Sequence, residues 1–422
     1  MATPYTTIAN RTVVNKILQH EVRLGSFITQ FIGAAERTKG TYGGQTKWKM
    51  AGTPINEFRD FAFTGRNQMI IPVLGRLKGG YGQNGKQTVA GNETKPDWYW
   101  QSLYINMKRK GVEFEDFVDK NKTDWAATAS DYKKTLADWW ADYQDHDFAR
   151  TIYEGFSKHV TDPIGGGGDE EGGLGVAKRY NKNFWVWNGE TVPTSNFSLN
   201  SPTFDFDPAT YAANIVTSLS ALTSDDYMTT RTLEGIIARL PSARIAPWEK
   251  DGEEVYPLII HSHQATTLRQ DAVWLNAQGR YNGKGAMFKN EIGRWGALVI
   301  IVNDKIARIP YYEATDTINF FDYTQGVDNS ADNQYSLAQL PGAAQNGACA
   351  ILLGRSAVNL GIYEDLEFTP KETEDYGMVS GVAGKKFYGM ARNDSYNEFL
   401  PDGVAPSDQL PPQSAVIVTS VS

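Results

Sequence analysis

Between residues 124 and 159 the apolar positions recur with a helical period. Trp125, Ala129, Tyr132, Leu136, Trp139 and Tyr143 are spaced four, three, four, three and four apart, and Phe148, Ile152 and Phe156 continue the stripe. The spacing predicts one long amphipathic helix with a single buried face. Thr123 is placed to cap its start, and Asp162-Pro163 to stop it. At 1.5 Å per residue such a helix spans about 50 Å.

Upstream the pattern is different. Val13, Val14, Ile17 and Leu18, then Phe27, Phe31 and Ile32, have short helical spacings within polar sequence. They read as an arm rather than as core. Residues 36–120 read as extended chain. Trp98–Lys110 is strand-like, with Trp98 and Trp100, then Leu103, Ile105 and Met107, on alternate positions. Gly79, Gly80, Gly82 and Gly85 mark a loop tip. Two strands and such a tip make a long hairpin with little apolar cover, which needs a partner surface in water.

Downstream, helices and strands mix. Helices are predicted from Pro208 to Ala221, from Asp226 to Leu240 and from Gln264 to Ala277. Buried strands are predicted at Tyr256–Ile260 and Ala297–Val302, and further strands at Ala348–Gly354, Val358–Tyr363 and Gly384–Arg392. The segment from Pro401 to Ser422 reads as a loose tail, with one strand-like run at Ala415–Val421. The fold class is α+β. The expected divisions are an arm and start of a peripheral domain at 1–60, and an extended hairpin loop at 61–120. A peripheral domain with the long helix follows at 121–205. Then come a mixed α/β domain with returning strands at 206–395, and a tail at 396–422.

Composition narrows the function. Of 422 residues, 21% are charged and 41% hydrophobic, so the chain folds rather than staying disordered. The single cysteine, Cys349, allows no internal disulfide and sits in an apolar run. No signal peptide and no membrane span are visible. The net charge of −8 is unevenly spread. Residues 1–122 hold 18 Lys and Arg against 10 Asp and Glu, and the remainder holds 23 against 39. A basic first part and an acidic body suit copies that attract one another, and fit a strong nucleic-acid binder poorly.

Catalytic signals are weak. His261 and His263 share a strand face but lack the third and fourth ligands a metal needs. Asp145-His146-Asp147 could orient a base, but a solvated helix face explains it. The acidic, glycine-rich run 165–173 has no following Lys-Ser/Thr and would repel phosphate. Asp205 and Asp207 read as a turn before the helix at Pro208. No cofactor or metal is expected. Lys108-Arg109-Lys110 is the densest basic cluster and reads as a strand edge touching an acidic neighbour.

Four local words, in order, carry a resemblance. They are Gly91-Asn92-Glu93; Leu136-Ala137-Asp138-Trp139-Trp140-Ala141-Asp142; Leu258-Ile259-Ile260-His261-Ser262-His263-Gln264 with Leu268-Arg269-Asp271, Trp274 and Gln278; and Phe288 with Ile292-Gly293 before Ala297–Val302. Over about residues 25–395 the chain resembles the major capsid proteins of tailed double-stranded DNA phages, of the N4-like type. Their fold is shared with encapsulins and the herpesvirus floor domain. The sequence departs from the family's acidic cluster, which is reduced here to Glu93, and the 165–173 run looks like an insertion.

The resemblance implies a non-enzymatic subunit in which arm and hairpin lie over neighbours, the long helix is a spine and the mixed domain is axial. It implies hexamers and pentamers of an icosahedral shell around double-stranded DNA, with portal and other virion proteins such as decoration or scaffold proteins as partners, and no membrane. The expected location is the virion, after assembly in host cytoplasm. Expected inter-subunit contacts are Arg66, Arg76, Lys78, Lys86, Glu93, Lys95, Trp98, Trp100, Lys108, Arg109 and Lys110. Two other readings remain open: an encapsulin-like cellular shell, which the shared fold implies, and a carbohydrate-active enzyme or binding module, suggested by abundant Trp, Tyr and carboxylates.

Overall fold

A computed structural model describes residues 16, 19–39, 46–59, 67–74, 98–114, 125–161, 179–188, 198–203, 208–223, 225–280, 287–308, 311–313, 317–319, 346–370, 380–394 and 412–421. In chain order, a 3-10 turn at Phe27–Phe31 leads into strands β1 (Ile32–Ala34), β2 (Glu36–Lys39), β3 (Thr46–Lys49), β4 (Ile55–Phe58), β5 (Gln68–Leu74), β6 (Trp98–Tyr104) and β7 (Asn106–Phe114). Helices α1 (Trp125–Glu154) and α2 (Lys158–Thr161) follow, then β8 (Phe184–Asn188) and β9 (Ser198–Asn200). Next come α3 (Pro208–Leu219), α4 (Thr230–Ala243), β10 (Trp248–Lys250), β11 (Glu253–Ile260), α5 (Ser262–Gln270) and α6 (Ala272–Arg280). The remainder is strands: β12 (Glu291–Trp295), β13 (Leu298–Val302), β14 (Tyr311–Glu313), β15 (Thr317–Asn319), β16 (Asn346–Leu353), β17 (Val358–Pro370), β18 (Ser380–Arg392) and β19 (Ser414–Val421).

Two sheets organise the chain. The larger runs β12-β13-β11-β16-β19-β8-β9, with β10 beside β11. Leu298–Val302 and the second half of β11 are buried and apolar at nearly every position, because both faces are covered there. Cys349, Ile351 and Leu353 of β16 face the core around α1 and α3, while Ala350 and Leu352 face the core under α4, α5 and α6. β19 splits the same way, with Val416 and Val418 on one side and Ala415 and Ile417 on the other. This is the two-residue period of a strand read on both faces.

The smaller sheet runs β1-β4-β17-β18-β7. The middle of α1 lies across it. Leu136, Trp140 and Tyr143 join Leu360, Phe368 and Tyr388 in the main core. Gly384 is required at this crossing. A Cβ there would lie 2.5 Å from the Trp140 indole nitrogen.

Several expectations are corrected. The long helix ends at Glu154, because Gly155 takes a positive φ of 94° and breaks it. Its one-faced burial holds over residues 134–143. From Gln144 to Ser157 every residue is buried, so Asp145-His146-Asp147 is interior and not a solvated face. Residues expected in an arm include Val22, Phe27, Ile28 and Phe31, which are core. The strand expected over Trp98–Lys110 divides at Ile105 into β6 and β7, which serve different sheets. The helix expected over Gln264–Ala277 is two helices parted at Asp271, whose carboxylate accepts from Thr230 at the start of α4 and from the Val273 amide of α6. The expected tail ends in β19, an interior strand between β16 and β8. The 165–173 run, Asp205 and Asp207 lie outside the described residues. Among those described, no helix is long and apolar enough to cross a membrane.

Candidate assembly elements and their supports

The hairpin is rooted deeply. β5 and β6 pair antiparallel from Gln68–Tyr104 to Leu74–Trp98. Met69, Ile71, Leu103 and Ile105 are buried with Phe58, Phe156 and Val160. A chain of buried amides ties this root to the smaller sheet. Asn56 of β4 donates to Asn359 of β17 at 3.3 Å, and Asn359 donates to Gln101 of β6 at 2.7 Å. Gln101 in turn donates to the Arg392 carbonyl at 2.6 Å. Such amides fix register, because a slip would leave several of them unpaired.

Of the expected contact residues, Arg66, Arg76, Lys78, Lys86, Glu93 and Lys95 lie outside the described residues. Trp98 and Trp100 stand on β6 at the far end of the paired root, where the described backbone shows only their pairing with Leu74 and Pro72. Lys108, Arg109 and Lys110 are on β7, the edge strand of the smaller sheet. Alternation splits the triplet. The Lys108 ammonium lies 5.0 Å from the centre of the Tyr143 ring, and that of Lys110 lies 5.3 Å from Trp139. Both therefore face α1 of their own chain. Arg109, between them, is exposed on the opposite face.

α1 is supported by buried polar groups. Asp145 accepts from the Ser26 hydroxyl at 2.7 Å and from the amides of Phe27 at 2.9 Å and Ile28 at 3.1 Å. It thereby caps the 3-10 turn from outside it. Burial nevertheless holds its carboxyl above the usual range. Asp147 accepts from the Tyr388 hydroxyl at 2.9 Å. The His159 ring bonds the Tyr388 carbonyl through Nε2 at 2.8 Å and brings Nδ1 to 3.7 Å from Asp147. Burial lowers the His159 pKa, against the pull of Asp147. Arg150 and Glu154 form an ion pair at 2.7 Å, each only 1% exposed.

Arg392 ends the helix. Its guanidinium donates to the carbonyls of Ile152 at 2.9 Å, Arg179 at 2.9 Å and Tyr180 at 3.2 Å. Asp394 accepts from its Nε at 2.6 Å. A cation against the last carbonyls of a helix satisfies orphan acceptors and opposes the helix dipole. Sequence reasoning missed this role, since an arginine closing a strand carries no periodic signal.

The histidine pair does not share a strand face, because the strand ends at Ile260 and His263 lies within α5. His261 caps α5, accepting from the His263 amide at 3.2 Å, while the His261 amide donates to Gln264 at 3.0 Å. The two rings stack 5.2 Å apart. Among the described residues, no three His, Cys, Asp or Glu side chains converge as metal ligands. Cys349 is fully buried, and burial pushes its thiol up.

The chain has structural counterparts among known proteins. Its backbone is similar to the Cyanophage Pam1 capsid asymmetric unit, at 15% identity and a TM-score of 0.59 over 94% of this chain and 92% of that one. It is also similar to the capsid of Ralstonia phage GP4, at 17% identity and a TM-score of 0.55 over 94% and 91%. The head of Helicobacter pylori bacteriophage KHP40 follows at 12% identity and a TM-score of 0.53, over 94% and 91%. At these identities the likeness is one of fold. No curated protein matches the chain. A family model described as Phage capsid protein matches residues 15–397, from before the 3-10 turn to beyond β18, and the chain thus belongs to the phage capsid protein family.

Proposed function

We propose that this chain is the major capsid subunit of a tailed, double-stranded DNA phage, and that it catalyses nothing. Many copies close an icosahedral shell of hexamers and pentamers. The observation that carries this reading is the family match over residues 15–397. The four sequence words favour the N4-like type within that family. The rooted hairpin supports the mechanism, because a tip reaching over a neighbour transmits load only if its base is fixed. Residues 66–110 supply the overlapping loop, with Arg66, Arg76, Lys78, Lys86, Glu93, Lys95, Trp98 and Trp100 toward the neighbour. Lys108, Arg109 and Lys110 contribute at the sheet edge, where Arg109 has the orientation best suited to a neighbour.

Repetition multiplies modest contacts, so no single interface need be strong. An acidic body encloses DNA without gripping its sequence. Portal, scaffold or decoration proteins complete the virion, which assembles in host cytoplasm. Negative-stain electron microscopy of the purified protein, with size-exclusion chromatography, tests the reading. Closed shells, capsomers or curved sheets are expected. A monomer at every concentration and salt, even with its phage's scaffold present, would overturn it.

A further inference from the structure

A cavity of about 230 Å³ lies between the 19–32 segment, β17, β18 and α1. Lys386 lines it, together with Gln19, Arg23, Thr29, Gln144 and Asp365. Lys386 is out of character with its place. It stands between Gly384 and Tyr388 on the face of β18 that packs on α1, and is only 7% exposed. Its ammonium lies 4.8 Å from the centre of the Tyr388 ring, and it forms no hydrogen bond or close ion pair with any described residue.

The nearby carboxylates are already engaged. Asp365 accepts from Arg59 at 2.8 Å and lies 3.8 Å from Arg23, while Glu57 pairs with Arg59. Among the described residues, Arg23, Arg59 and Lys386 thus face Glu57 and Asp365, leaving one positive charge uncompensated. Burial draws the Lys386 amine down to about 8, against the pull of Asp365 and Glu57, so at neutral pH it remains mostly a cation. A buried cation without a hydrogen-bonded partner is costly, and one facing a polar cavity has room for a counterion.

We propose that this cavity binds a small monoanionic oxyanion, of carboxylate size, held by Lys386 Nζ with the Thr29 hydroxyl and Gln144 amide beside it. The anion neutralises the surplus charge and ties the N-terminal segment to β18. The site does not depend on the shell reading, because its tests use unassembled protein.

The first test acylates the wild-type full chain with a succinimidyl ester near pH 8 and follows Lys386 and its neighbour Lys385 by peptide mass spectrometry. Lys385 is a built-in control, since it pairs with Glu367 on the other face at 3.0 Å. Sodium acetate is compared with sodium chloride at equal ionic strength. At ten times its Kd, acetate slows acylation of Lys386 about tenfold and leaves Lys385 unchanged. Equal rates in acetate and chloride would overturn the proposal, and so would a Lys386 that never reacts, since its amine would not face the cavity. A second test compares Tm for the wild type and Lys386→Met. Acetate raises Tm relative to chloride in the wild type only, and an equal rise in both proteins counts against the site. Protection of Lys386 in assembled shells without acetate, and none by acetate in free subunits, would also overturn it in favour of a neighbour's carboxylate.

Discussion

Gly389 of β18 lies directly against the carbonyl of Tyr104, at the joint between β6 and β7. A Cβ at 389 would run into that carbonyl oxygen. Because the obstacle is backbone, no rotamer change relieves it. Gly389→Ala is expected to cost at least about 1–3 kcal/mol, at the upper end of overpacking effects, since the strand and hairpin root must part. The midpoint of urea unfolding measures this. A midpoint within error of the wild type would show that the contact yields freely.

Arg392 predicts a second loss. Arg392→Met leaves the Ile152, Arg179 and Tyr180 carbonyls and Asp394 without their donor in a buried site. The expected cost is about 3 kcal/mol or more, because each unsatisfied buried group carries its own penalty. Arg392→Lys should recover only part of it, since an ammonium cannot reproduce the planar fork. Full recovery by lysine, read from the same unfolding curves, would reduce the role to charge alone.

His159 gives a pH dependence of known sign. Its folded pKa is lowered by burial, although Asp147 and the Tyr388 carbonyl oppose this and Lys108 and Arg150 add to it. Below about pH 6.5 the unfolded chain takes up a proton that the folded chain refuses. Stability contributed by this group is therefore full above that pH and is lost as pH falls toward the lower folded value. Stability measured at pH 7.5 and 5.5 should fall more in the wild type than in His159→Gln. Identical losses would mean that Asp147 holds the imidazolium as readily as water does.

The basic triplet should separate by residue. Lys108→Met and Lys110→Met remove contacts with Tyr143 and Tyr-neighbouring Trp139, and each should lower monomer stability by about 0.5–1 kcal/mol. Arg109→Glu should impair shell formation, an effect visible by electron microscopy, by more than any loss of monomer stability read from unfolding curves explains. Raised salt should loosen early capsomers by the same electrostatic route. Normal shells from the Arg109 variant would remove it from the interface.

The sequence disclosed the elements better than their surroundings. The apolar stripe located α1 because helical periodicity survives in any environment. It could not reveal that Gln144–Ser157 is buried on all sides, because the groups that satisfy Asp145 and Asp147, Ser26 and Tyr388, lie more than a hundred residues away. β19 looked like a strand but not like an interior one, since its neighbours are set by topology. Lys386 was invisible for the same reason. Within Gly384–Arg392 it resembles any solvent-facing lysine, and only the pairing of β18 with β7 and β17 turns it inward. The proposed contact residues of the hairpin were legible as a charged, glycine-rich stretch, which says what they are made of and not what they touch.

The smaller sheet has a consequence for timing. Val358–Gly361 of β17 pairs with Ile55–Phe58 of β4, and Asn56 meets Asn359 across 303 positions of sequence. Bringing such distant segments together costs loop entropy before any contact repays it, so folding is slow relative to a chain of local contacts. The hairpin root hangs on this late pairing through Gln101. A subunit's hairpin is firmly based only once its own long-range closure is complete, so this topology favours folding ahead of association.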